Sequence, residues 1–292
     1  MKFATARRSP QAFTDFRLKA CDRPRAGDTR RSSMLADLLS SLTALSLPGF
    51  GFAAFVIAFA YVVFGLTGFG SSIVAVPLLT QVLALRTVVP MMLFFDLVAG
   101  TLLGLNNRRH LQLTEIKRLM PSVLLGMALG LGVLLLVPER VLLGGLGIFV
   151  LAHVVRGVWF RPAHQSPSSP RLAPLYGLFG GIFTSTFGTG GPIYTLYLAG
   201  RLPDPLQLRA TISALLVITA VLRLLMFALA GLYADSAMLI LPALLMPFAL
   251  AGYAAGAWLN ARISAARVVS AVWALLALAG LGLVYRNLFT WN

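Results

Sequence analysis

Long uncharged runs alternate with short charged ones along this chain. Leu38 to Leu85 is a 48-residue stretch without one Asp, Glu, Lys or Arg, and Leu172 to Gly200 is a second such run. An apolar run of about 20 residues can carry a helix across the hydrocarbon core of a membrane. The runs are continuous rather than alternating. They therefore predict spanning helices, which satisfy their own backbone hydrogen bonds in lipid, over barrel strands. Both runs are interrupted by glycine: Gly68-Phe69-Gly70 in the first, and Gly188-Thr189-Gly190 at an offset of 120 positions in the second.

That offset belongs to a wider internal repeat. Leu85-Arg86-Thr87 resembles Leu208-Arg209-Ala210-Thr211, and Pro121, Gly126 and Gly130 match Pro247, Gly252 and Gly256. Each half reads as a long glycine-broken segment followed by three helices. These are expected over about 87–105, 119–137 and 141–158, then over about 210–231, 237–260 and 268–286, with ends uncertain by roughly 2–4 residues. The expected fold is all-α and polytopic, built from two homologous four-segment halves. Residues 1–46 form a basic, disordered tail, 47–160 the first repeat, 161–172 the joining loop and 173–292 the second repeat.

Composition excludes an ordinary soluble domain. The chain is 58% hydrophobic and 11% charged, with mean hydropathy +0.85, where soluble domains carry roughly 25% charge. Its net charge of +15 does not point to nucleic acid. Residues 1–33 contribute +6 of it, and most of the rest falls in loops, as membrane topology requires. Met34 is a candidate start just ahead of the first apolar run. Cys21 is the only cysteine, so an internal disulfide is impossible.

Loop charge also bears on how the halves lie. Leaving aside residues 1–33 and Arg223, one crossing per broken segment makes the halves parallel, and Lys/Arg divide 8 to 6 between the faces. With each broken segment re-entrant the halves are inverted. Loops 106–118, 156–171, 201–209 and 260–267 then share a face with 11 basic residues against 3. The positive-inside rule favours inverted repeats with those loops cytoplasmic.

Paired interruptions in matching positions are the pattern of secondary transporters that bind solutes at broken helices. A half-helix starting near Ser71 or Pro192 presents free N–H groups and a positive dipole end. Hydroxyls crowd both places: Thr67, Ser71 and Ser72, then Thr184, Ser185, Thr186 and Thr189. Thr67, Gly68, Gly70, Ser71, Ser72, Ser185, Gly188, Thr189, Gly190 and Gly191 are the candidate anion-binding residues. The alternative is close helix packing through small residues. Arg223 and Asp96 fall near the middle of predicted spans, where charges are expensive and usually functional. Arg223 is the candidate attractor of the anion. Asp96 is the candidate for coupling a proton, or for pairing with Arg223 in a purely structural ion pair. Gly126-x-x-x-Gly130 and Gly252-x-x-x-Gly256 read as helix-packing spacings. His110, His153 and His164 lack ligand spacing, no GxxxxGK[ST] loop occurs, and Ser71 and Ser185 lack a His–acid pair. No metal, cofactor or enzymatic chemistry is expected.

Gly65-Leu-Thr-Gly-Phe-Gly-Ser-Ser-Ile-Val-Ala-Val-Pro77, Gly188-Thr-Gly-Gly-Pro192, the Arg209-Ala-Thr211 stretch and Arg223 before Gly231 together resemble the sulfite exporter TauE/SafE family, classed with sulfonate uptake permeases. The similarity covers about residues 50–288. It implies a multi-pass inner-membrane carrier for sulfite, sulfonates or related sulfur-containing organic anions, working without ATP. A passive anion channel and a non-transporting membrane scaffold are the other readings compatible with these features.

Overall fold

The computed structural model of the chain describes residues 47–67, 70–107, 110–159, 169–234, 237–260, 262 and 265–289. The tail up to residue 46, with Cys21 and Met34, lies outside them, as do Gly68, Phe69, His164 and most of the loop expected to join the halves. The described residues are helical: α1 Leu47–Thr67, α2 Ser71–Leu79, α3 Leu85–Asn107, α4 Leu113–Leu136 and α5 Glu139–Trp159. After a 3-10 turn at Pro170–Leu172 come α6 Ala173–Phe187, α7 Gly191–Ala199, α8 Pro205–Leu229, α9 Ala237–Asn260 and α10 Ala265–Val284. Six of them, α1, α3, α4, α5, α8 and α9, are long and apolar enough to cross a membrane. Leu136 and Leu229 are 85% and 81% exposed, an arrangement suited to lipid and not to water.

Helix starts differ from the hydropathy expectation where a helix begins outside the apolar slab. α4 begins at Leu113 rather than near 119 because Glu115 is paired, not solvated in a loop. It accepts from Arg118 at 2.9 Å, from Arg201 at 3.0 Å and from the Tyr197 hydroxyl at 2.8 Å. α8 begins at Pro205 rather than near 210. The Asp204 carboxylate caps it by accepting from the Leu206 N–H at 3.0 Å, and Pro205 loses nothing at a first helical position.

Both expected interruptions are present. Gly70 precedes α2 with φ 96°, and Gly188 closes α6 with φ 73°, left-handed values that favour glycine. At the second break the Gly188 and Thr189 N–H groups donate to the Thr184 and Phe183 carbonyls, which ends the helix in a Schellman-type turn. The chain then folds back. A Cβ on Gly190 would lie 2.7 Å from the Gly180 oxygen, whereas an unbroken helix would separate those residues by about 15 Å. Tyr194 seals the reversal, its hydroxyl 2.9 Å from Thr184 Oγ1.

The most extensive packing crosses between the two stretches of chain: α4 lies on α6, α1 on α9, α5 on α10 and α3 on α8. Glycines make the first two contacts backbone-close. Gly126 and Gly130 face Leu178 and Ile182, while Gly252 and Gly256 face Ala58 and Val62. The small-residue spacing is thus a packing device in both places. Each glycine-broken helix is held by the α4 or α9 helix of the opposite stretch.

Candidate functional site

The two breaks meet. A Cβ on Gly188 would lie 3.1 Å from Arg223 Nη1 and 3.2 Å from Ser72 Oγ. Around this junction is a cavity lined by the start of α2 (Gly70 to Ile73), the turn into α7 (Gly188 to Pro192), Asp96 and Gly100 of α3, and Leu216, Thr219, Ala220 and Arg223 of α8. Neither α2 nor α7 has a side-chain cap. The positive ends of both half-helices therefore face the cavity with first-turn N–H groups to offer, from Ser71 to Ile73 in α2 and at Gly191 in α7, where Pro192 has no N–H and that of Ile193 donates to the Gly190 carbonyl.

Arg223 is 2% exposed and reaches the cavity from the last third of α8. Its Nη1 donates to the Thr184 carbonyl at 2.8 Å, and its Nη2 to Asp96 Oδ2 at 3.5 Å. The Asp96 carboxylate gathers three hydroxyls. Tyr61 and Ser71 donate to Oδ1 at 2.7 and 2.8 Å, and Ser72 donates to Oδ2 at 2.9 Å. Ser71 and Ser72 therefore line the cavity with their hydroxyls already committed. Near the second break the accounting is different. Thr189 Oγ1 and Arg223 Nε are buried and have no hydrogen-bond partner among the described residues.

Gly70, Ser71, Ser72, Gly188, Thr189, Gly190, Gly191, Asp96 and Arg223 thus come together at one cavity. Two expected residues sit apart from its lining. The Thr67 hydroxyl turns back to the Val63 carbonyl at 2.8 Å. Ser185 is fully buried, with its hydroxyl unpartnered among the described residues. It lies about 100° round the helix from Thr184, which does face the cavity. Gly68 lies outside the described residues. Tyr61 was not anticipated at all. Its only local signal is a hydroxyl inside an uncharged run, because its partner Asp96 is 35 residues away. Thr219 was findable, being four residues before Arg223 and hence on the same helix face.

A model of the sulfite exporter TauE/SafE family matches residues 53–283. The chain belongs to that family. Searches of curated proteins and of solved structures gave no match. As a TauE/SafE member the protein is a multi-pass membrane transporter and not an enzyme, and its family implies an anionic cargo. The matched region contains both breaks, Asp96 and Arg223, so the whole cavity lies within the family's common part.

Proposed function

We propose that this protein is a secondary carrier of a small oxyanion, namely sulfite, a sulfonate or a related sulfur-containing organic anion, across the inner membrane. The observation that carries the reading is the pair of buried, unpartnered donors, Arg223 Nε and Thr189 Oγ1, beside the uncapped start of α7. A buried donor left unpaired costs about 1–3 kcal/mol, and an oxyanion offers several acceptors at once. The cavity holds about 40 Å³, the room of about three waters at 10–15 Å³ each, which matches a sulfite-sized group. The backbone N–H groups at Gly190 and Gly191, the Thr189 hydroxyl and Arg223 grip the oxygens. Gly70, Ser71 and Ser72 form the opposing wall.

Asp96 and the anion compete for Arg223. A proton on Asp96 removes the competing charge and frees the guanidinium, so proton and anion move together. The charge asymmetry of the loops and the fold-back after Phe187 support two inverted repeats, 47–160 and 173–292, with loops 106–118, 156–171, 201–209 and 260–267 cytoplasmic. A C-terminal reporter active only in the cytoplasm tests that orientation and should stay silent.

The functional test is binding of a panel of sulfur oxyanions and carboxylates to the purified protein, with wild type set against Arg223→Ala. Sulfur oxyanions should bind the wild type and lose affinity in the variant. Equal binding to both would remove Arg223 from the site. In proteoliposomes, a pH gradient should drive accumulation by wild type but not by Asp96→Asn. Equilibration without accumulation by the wild type would indicate a channel.

A further inference from the structure

We propose that Arg209 recruits the anion at the mouth of the path to the cavity, on the face where α8 begins; this rests on the carrier reading above. Helices α3 and α8 run antiparallel. The Tyr233 hydroxyl donates to the Pro90 carbonyl at one end, and Gly100 lies against Val217 further along. On both helices the cavity extends toward the start of α8. From the Asp96–Arg223 pair it reaches Gly100 on α3 and Ala220, Thr219 and Leu216 on α8.

Arg209 stands in line with that lining. At 100° per residue, Arg209, Leu216, Ala220 and Arg223 fall within about 60° of one another on α8, and Leu216 is about 10 Å further along the axis. The Arg209 side chain is exposed, and its Nη2 donates to the Leu66 carbonyl at 3.2 Å. Leu66, the last residue but one of α1, is four residues before Gly70, which lines the cavity. The guanidinium therefore bridges the mouth between α8 and the first break. Ile212 and Ser213, both buried, close the stretch between Arg209 and Leu216 and must part for passage. The repeat-equivalent Arg86 is used differently. It donates to the Leu134, Leu135 and Val137 carbonyls at the end of α4, a cap that ties up most of its donors. Arg209 makes one such bond among the described residues and keeps the rest of its fork for a solute.

The test has two readouts. In a Cys21→Ser background, Leu216→Cys is labelled from the α8-start face with anionic and cationic thiol reagents of equal size. Arg209→Gln should lower the anionic-to-cationic rate ratio by about threefold or more, and Arg209→Lys should preserve it. In proteoliposomes, Arg209→Gln should raise KM for sulfite about 3–10-fold, hold kcat within about twofold, and flatten the salt dependence of KM. A lowered melting temperature with unchanged ratio and KM would make Arg209 only a cap on α1 and overturn the proposal. So would a Leu216→Cys that neither reagent reaches from that face. A wild-type protein that moves no anion overturns the carrier reading; a thiol ratio indifferent to Arg209 overturns this one.

Discussion

The two glycine breaks are built differently and differ in chemistry. Both lead into a nine-residue half-helix whose start has no side-chain cap, but the left-handed glycine directly precedes α2 at Gly70, whereas at the second break it closes α6 at Gly188 and a right-handed Gly190 precedes α7. At the first break the hydroxyls of Ser71 and Ser72 are engaged by Asp96, with Tyr61 completing the carboxylate's shell. At the second, Thr189 and part of Arg223 are buried without partners among the described residues. Both breaks therefore bring a helix N-terminus to the same cavity. In the carrier reading, one carries a resident carboxylate and the other receives the anion. In that reading, a proton on the carboxylate alters the charge seen by the anion.

The largest effect on this comparison comes from removing the charge that serves both sites. Arg223→Ala should weaken oxyanion binding on the order of 100-fold, since each hydrogen bond to a charged group contributes about 1.5–3 kcal/mol and 1.4 kcal/mol is a tenfold change. Calorimetric titration of the purified protein reads this. Next come the glycines. Alanine at either Gly70 or Gly188 forces a side chain into the left-handed region, at about 1–2 kcal/mol of stability each. Only at Gly188 does the new Cβ meet Arg223, at 3.1 Å, while at Gly70 its nearest neighbour is Ile73 at 3.7 Å. Both variants should melt earlier, and Gly188→Ala alone should also lose affinity, by about tenfold. Equal affinity loss in the two would erase the distinction drawn here. The smallest contrast is between hydroxyls. Thr189→Val should weaken binding about 5–10-fold, and Ser72→Ala should change it by less than about twofold, because the serine hydroxyl is already occupied. A competition assay with a labelled sulfonate measures both.

Much of this was legible along the chain, for physical reasons that differ by region. Uncharged runs reveal spans because a membrane tolerates few charges, and glycine reveals breaks because no other residue takes φ values such as those of Gly70 and Gly188 without strain. Arg223 and Asp96 stood out because a mid-span charge needs a reason. The helix starts at Leu113 and Pro205 were hidden, since a helix emerging from lipid carries charges that hydropathy reads as loop. Tyr61 was hidden because its role depends on α3 being folded against α1. The run Thr184-Ser185-Thr186 looked like one hydroxyl cluster, yet successive helical residues point about 100° apart. Thr186 donates instead to the Gly130 carbonyl, where it helps hold α6 on α4.

The most direct measurement is a structure determined with a selenium-containing oxyanion bound, whose anomalous signal marks the solute. The account predicts the signal between the start of α7, the Thr189 hydroxyl and the Arg223 guanidinium. A signal elsewhere in the protein, with that cavity empty at saturating anion, would contradict it.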